Sequence, residues 1–297
     1  MCSSDLTGKT LPQLLAMANE KSFRPIPLGR IAGHIPTQVR KIESRNVAGR
    51  VAGSDPHLAA QAVLFTAHWD HLGIGVPING DKIYNGAVDN ATGCAMLLEI
   101  ARIWAALPQK PQRSAIFLFV TAEEAGLIGS DYYGKHPLVA TAATAVDLNF
   151  DAFFPFGRTK DVEVTGAERT TLWPLVQRDA AALHLEIKPD AQPGQGHYYR
   201  SDHFSLARVG IPAFSISAGQ EYQGKPANFG KTAFEQYNNE HYHRPSDEYH
   251  DDWDFGSMVQ MAQFGLRLGM DVANTPQLPT WNAGDEFLKA RQASGAQ

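Results

Sequence analysis

The sequence predicts an α/β domain built on a largely parallel sheet with helices over both faces. Two observations carry this. From residue 46 onward, short apolar runs rich in Val, Ile and Phe alternate with longer helix-forming stretches. The residues with metal-binding or acid–base chemistry then stand at the C-terminal ends of those apolar runs, the edge at which open α/β sheets hold their ligands. Residues far apart in the chain can meet there.

The elements follow in order. Residues 10–21 read as an amphipathic helix with Leu11, Leu14, Leu15 and Ala18 on one face, and Pro12 falls in its first turn, where proline is tolerated. Residues 23–40, punctuated by Pro and Gly, read as linker and short strands. Strands are expected at 46–51, 62–67, 114–122, 145–151 and 211–217, and helices at 90–107, 127–135, 169–183 and 255–272. Parallel strands buried on both faces read as near-continuous apolar runs, as Ala62 to Ala67 and Ser114 to Ala122 do. The stretches 192–200 and 218–241 are polar and carry Gly and aromatic residues, long enough for loops that form a pocket rim.

Composition narrows the function. At 297 residues and 43% hydrophobic, the chain can bury a full core. A net charge of -5 without a Lys/Arg cluster argues against a nucleic-acid partner. No apolar run is long enough for a membrane span. Cys2 and Cys94 are too few for a disulfide framework and lack zinc-motif spacing; Cys94 reads as a small buried residue. Residues 1–6, Met-Cys-Ser-Ser-Asp-Leu, look like a translated sequencing-adaptor end, so the natural N-terminus and any signal peptide are expected to be missing.

The chemistry centres on Glu123-Glu124, where the strand 114–122 runs out. In chain order their partners are His68 and Asp70 in Thr-Ala-His-Trp-Asp-His-Leu-Gly, Asp89 in Asn-Gly-Ala-Val-Asp-Asn, Asp151 in Leu-Asn-Phe-Asp, and His243 in Tyr-His-Arg-Pro-Ser-Asp. Two histidines and five carboxylates are enough for two metal ions. Zinc takes imidazole nitrogen and carboxylate oxygen, and a catalytic site leaves a position for water. A carboxylate can bridge two ions, so the expected arrangement is His68, Asp89 and Asp151 on one metal and Asp89, Glu124 and His243 on the other. Asp70 is expected to accept the His68 imidazole N–H, which leaves Glu123 as the base. Taken singly, each has a plainer reading: Asp89 or Asn90 as a helix N-cap, the glutamates as a charged first helical turn, His243 as a solvated turn residue. Their co-occurrence at strand ends and pocket loops favours the metal reading.

With these motifs in place, and with Ser-Asp-His at 201–203 and His-x-Pro-x-Asp at 243–247, residues 23–287 resemble the di-zinc exopeptidase family of secreted bacterial leucine aminopeptidases and glutamate carboxypeptidase II. The resemblance is to bacterial members with an inserted protease-associated domain. It makes 7–22 a remnant of that insertion and 23–297 the catalytic domain. It implies a three-layer α/β/α sandwich around a mixed sheet, two Zn2+ with Co2+ or Mn2+ as substitutes, a peptide substrate with a free N-terminus, and a secreted or periplasmic home. It further implies a cis Asp89-Asn90 bond, a Tyr242 that hydrogen-bonds the oxyanion, and a substrate pocket lined by Tyr199, Arg200, Ser201, Asp202 and His203, with Tyr198 and Phe229 as further aromatic candidates.

Three alternatives stay open on the same scaffold: a one-zinc glutaminyl cyclase, a carboxypeptidase or dipeptidase, and an inactive binding module. A cyclase needs only one Lewis acid, so His68, Asp70 and Asp151 favour two metals. A carboxypeptidase needs a cationic clamp, for which Arg158, Arg200 and Arg244 are near in sequence and Arg200 is the first to test. An inactive module would have lost ligands or the base, and none is missing here.

Overall fold

The computed structural model describes residues 7–27, 30, 32–39, 41–190 and 193–296; the expectation for residues 1–6 lies outside them. The chain divides into two compact units, Met1–Glu43 and Ser44–Gln297.

In the first unit, α1 (Leu11–Ala18) has Pro12 in its first turn, as expected, and an N-terminal cap not anticipated from sequence. Thr10 Oγ1 accepts the Gln13 N–H at 3.4 Å, and the Gln13 side chain accepts the Thr10 N–H at 2.8 Å, a reciprocal cap of two otherwise unpaired donors. None of its residues is buried. The described residues between 23 and 40 form no strand.

The second unit is built on a seven-stranded sheet. In chain order its strands are β1 (Val47–Val51), β2 (Ala62–His68), β5 (Ser114–Val120), β6 (Thr144–Phe150), β7 (Asp161–Thr165), β8 (Glu186–Lys188) and β9 (Ala213–Ala218). The spatial order is β1-β5-β2-β6-β9-β7-β8. The run β5-β2-β6-β9 is parallel; β1 lies antiparallel on β5, and β7 antiparallel on β9. The sheet is therefore mixed and mostly parallel. A separate hairpin, β3 (Gly73–Ile78) and β4 (Asp81–Tyr84), stands between β2 and the first long helix.

Successive side chains of a strand point to opposite faces, and the central strands divide their apolar residues accordingly. Val63, Phe65 and Ala67 of β2 join Ala115 and Phe117 of β5 in one core. Helices α2 (Thr92–Ala106), α4 (Trp173–Ala182) and α7 (Gly256–Ala273) pack there through Met96, Leu97, Ile100, Trp104, Val176, Phe264 and Leu268. Ala62, Leu64, Ile116, Leu118 and Val120 form a second core with Tyr133, Leu206, Ile211, Trp281 and Phe287, under α3 (Ile128–Lys135), α5 (His203–Arg208) and α8 (Leu288–Ala293). Three layers result, as expected. One correction concerns residues 218–241: Phe229–Glu240 form a helix, α6. Its apolar residues are sparse, and only Gly230 and Tyr237 are buried.

Helix α7 lies close on the sheet because it carries glycine where aromatic rings meet it. A Cβ on Gly269 would stand 2.4 Å from Phe65 Cζ. The Phe65 ring cannot yield, since it is stacked on Phe117 at 5.0 Å and edge-on to Trp104 at 5.6 Å. Gly269→Ala gains about 1 kcal/mol of helix propensity but overpacks the core at a cost of about 1–3 kcal/mol. The expected net result is a stability loss of about 1 kcal/mol in urea unfolding; a stabilised variant would contradict this packing.

Candidate metal centre

Strands β5, β2 and β6 are parallel neighbours, so their C-terminal ends deliver side chains to one place. His68 is the last residue of β2, Asp151 follows β6, and Glu123 and Glu124 follow β5 by one short turn. Asp89 comes from the tight turn Ala87–Ala91 before α2, and His243 from the turn after α6. The Asp89-Asn90 bond is cis, as the resemblance implies. Ala122, Ala152 and His243 all have left-handed backbone, with φ of 55°, 53° and 57°. Non-glycine residues adopt this at a cost, and such outliers gather where the surroundings over-determine the geometry. Here each is a candidate ligand or the neighbour of a site carboxylate.

Asp89 faces two ways. Its Oδ1 is 3.0 Å from His68 Nε2, which is also 3.2 Å from Asp151 Oδ1. Its Oδ2 is 3.4 Å from His243 Nε2, which is 3.0 Å from Glu124 Oε2. Two triads thus share one carboxylate: His68, Asp89 and Asp151, and Asp89, Glu124 and His243. The structure thus brings together the side chains named in both expected sets.

Sequence reasoning missed His71. Its Nδ1 is 2.7 Å from Glu124 Oε1, and with Asp89 and Glu124 it makes a further group whose ligand atoms lie within 4.8 Å of one another. The ring is out of line for a hydrogen bond, so both His71 nitrogens and Glu124 Oε1 are buried without one. The only signal in the sequence was its place in His-x-Asp-His, beside two residues already chosen. Glu124 thus has a histidine on each oxygen.

Asp70 corrects an expectation. The His68 Nδ1 bonds the Asp70 main-chain carbonyl at 2.9 Å, not its carboxylate. The carboxylate instead accepts the Ala122 N–H at 2.8 Å and the Thr121 hydroxyl at 2.6 Å. It therefore fixes the imidazole through its backbone while its side chain holds the turn that presents Glu123 and Glu124. Cys94 is half-buried, and its thiol donates to the His68 carbonyl at 3.1 Å.

Ser201, expected in the pocket wall, lines the cavity and also donates to Asp151 Oδ2 at 2.6 Å. It accepts in turn from Asn149 Nδ2 at 2.8 Å, and Asn149 Oδ1 is 2.9 Å from the Thr66 hydroxyl. That chain leaves Asp151 Oδ1 turned toward His68. Arg200, His203 and Tyr198 also line the cavity. Asp202 does not: it is fully buried beneath the wall. Tyr199 turns away and donates to Glu286 at 2.8 Å, and Phe229 packs on Phe156 and Tyr222. Tyr242 stacks on His243 with ring centroids 3.8 Å apart and borders the cavity. The cavity holds about 770 Å³, and Glu123, Asp89 and Asp151 face it opposite an aromatic wall of Phe154, Phe156, Phe234 and Tyr237.

The electrostatics fit cations. Burial opposes charge on Asp89, but its bonds to His243 and His68 outweigh that and hold the carboxyl below the usual range. Asp89 and Glu124 push the His243 imidazole up to about 9. His68 rises as well, because Asp151 and Asp89 overcome its burial. Burial, then Asp151, push Glu123 up to about 9. Among the described residues, the ion-pair partners of Asp89, Glu124 and Asp151 are all histidines. Protons on the His68 and His243 rings therefore balance the clustered carboxylates when no cation is bound. Divalent cations would supply the same balance, and the all-nitrogen and oxygen donor set suits zinc, with cobalt or manganese as substitutes.

Two outcomes follow from this geometry. Asp89→Ala should weaken both metal positions together in a zinc titration, and independent loss of one would separate the triads. Zinc affinity should climb with pH up to about 9, because the His243 proton must leave before a cation can bind. Calorimetry in buffers of differing ionisation enthalpy should register that proton release at neutral pH; zinc binding without it would contradict the charge state.

Known proteins share this arrangement of elements. The chain is 25% identical over 253 residues to a vacuolar membrane protease of Botryotinia fuckeliana, covering 84% of this chain and 20% of that one. It is 25% identical over 248 residues to a probable glutamate carboxypeptidase of Arthroderma benhamiae, covering 72% and 32%. A zinc aminopeptidase structure from Bacillus subtilis superimposes with a TM-score of 0.56 at 18% identity, over 82% of this chain and 52% of that one. The chain thus spans about half or less of the length of each of these relatives. Its match to a family profile runs over residues 46–266, a stretch that holds both triads and Glu123, and on that match the chain belongs to Peptidase family M28.

Proposed function

We propose that this chain is a two-zinc aminopeptidase that removes N-terminal residues from peptides. The observation that carries the reading is Asp89, whose two oxygens face separate histidine–carboxylate groups at the mouth of the cavity that Glu123 also faces. Bound zinc would lower the pKa of an attacking water toward neutrality and polarise the scissile carbonyl. The chain's own residues do the rest. His68, Asp89 and Asp151 would hold one ion, and Asp89, Glu124 and His243 the other.

Glu123 has no ligand partner in either triad, so its carboxylate is left to take a proton from water and return it to the leaving amine. Burial and then the Asp151 charge hold the Glu123 proton in place, and cations beside Asp151 would offset the second of these. Tyr242 stacks on His243 at the cavity wall, and in this reading its hydroxyl would donate to a developing oxyanion. The aromatic wall supplies a surface for an apolar side chain of the substrate.

The second triad argues against a one-zinc cyclase, which would leave it without work. A carboxypeptidase reading has one supporting residue, Arg200 at the cavity wall. A secreted or periplasmic home is supported by the resemblance to secreted bacterial aminopeptidases, whereas relatives named as vacuolar membrane proteases support a vacuolar one. Among the described residues no helix is long and apolar enough to cross a membrane.

The decisive variant is Glu123→Gln. Turnover of an amino-acyl substrate should fall by about 10²–10⁴-fold with zinc content unchanged. Lost zinc would instead make Glu123 a ligand. Acetylating the substrate's α-amine should block cleavage, and undiminished cleavage would sink the aminopeptidase reading while leaving a metallopeptidase.

A further inference from the structure

Asp247 has no part in the chemistry above, yet its carboxylate accepts three hydrogen bonds beside the candidate metal centre. It is 2% exposed and follows His243 by one turn. Its Oδ1 accepts the Val88 N–H at 3.0 Å, and its Oδ2 accepts the Asp89 N–H at 3.1 Å. Oδ2 also accepts the Tyr237 hydroxyl of α6 at 3.1 Å. The Asp247 main-chain carbonyl accepts the Ala87 N–H at 3.1 Å. Successive N–H groups of the Asp89 turn thus all end on one residue.

That residue belongs to the loop that carries His243. The two loops are joined once more by Asn85 Nδ2, which donates to the Pro245 carbonyl at 2.9 Å. From the opposite side Asn90 anchors the same turn, with Nδ2 on the Phe150 carbonyl at 2.9 Å and Oδ1 accepting the Gly93 N–H at 3.0 Å. Asp89 therefore sits between an anchor below and Asp247 above.

We propose that Asp247 is a positioning residue for the metal cluster: it ties the Asp89 turn to the His243 turn and so sets the direction in which Asp89 presents its two oxygens. The proposal rests on the metal reading of the site. A carboxylate suits the task because it only accepts, with enough lone pairs for three donors at once. The turn needs such an acceptor, since Asp89 and Asn90 depart from helical φ/ψ and the buried N–H groups there have no helical carbonyl to use. An asparagine of the same shape would turn an N–H toward one of those donors.

The test is Asp247→Asn, with zinc affinity measured by chelator competition on metal-stripped protein and the metal-free fold checked by circular dichroism and melting. We expect zinc to bind about tenfold or more weakly at both positions, because Asp89 is common to them. Tyr237→Phe, which removes one donor and leaves the backbone bonds, should lose less. A folded Asp247→Asn protein with unchanged zinc affinity overturns the proposal, even if it melts earlier, because that is the mark of a merely structural role. Should the variant not fold, amide hydrogen exchange on the metal-free wild type decides: Val88 and Asp89 must be protected, and exchange at the rate of open amides overturns the clamp. Zinc that fails to bind the wild type sinks the metal reading and this proposal together, whereas zinc bound equally by wild type and variant sinks this proposal alone.

Discussion

The arrangement of the site depends on a single carboxylate having to serve two histidines at once. Asp89 can do so only if its backbone is held still, because a small rotation of the turn would carry one oxygen away from His68 or the other away from His243. The surrounding structure is arranged to prevent that rotation. Asn90 and Asp247 bond the turn from opposite sides, and Thr92 fastens its other end through the Val88 carbonyl at 2.6 Å. The parallel run β5-β2-β6 then brings His68, Glu124 and Asp151 to the fixed point, so the sheet supplies convergence and the loops supply aim.

Such a cluster costs folding energy. Carboxylates gathered with little solvent repel one another, and burial of each is unfavourable unless a partner compensates. The left-handed backbone at Ala122, Ala152 and His243 adds local strain at the same place. The two packed cores, each on its own face of the sheet, provide the stability against which this is set. The same logic explains the bonding of two polar side chains behind the candidate ligands. Asp70 holds the Thr121–Ala122 turn and Ser201 holds Asp151, and neither need touch a substrate to matter.

Sequence and structure divide the evidence along physical lines. Strands β2, β5, β6 and β9 were legible because buried parallel strands are continuous apolar runs, and the long helices α2 and α7 because their apolar faces repeat at helical spacing. The hairpin Gly73–Tyr84, the strands β7 and β8, and helix α6 were not. They are short or mostly exposed, and their shape is set by what they pack against rather than by their own pattern. Metal-ligand candidates were legible because His, Asp and Glu at successive strand ends are chemically conspicuous even when scattered along the chain.

By itself, then, the sequence determined the layered α/β architecture and pointed to the candidate ligands and the candidate base, since these follow from residue type and from position relative to apolar runs. Only the tertiary structure decided which atom does what. It gave Asp70's carbonyl to His68 and its carboxylate to the Ala122 turn, brought His71 onto Glu124, buried Asp202, turned Tyr199 outward, and bonded Asp247 to the Asp89 N–H. Those assignments depend on distances and directions between loops remote in the chain. Hydrogen bonding is short-ranged and directional, so residue order alone cannot fix them.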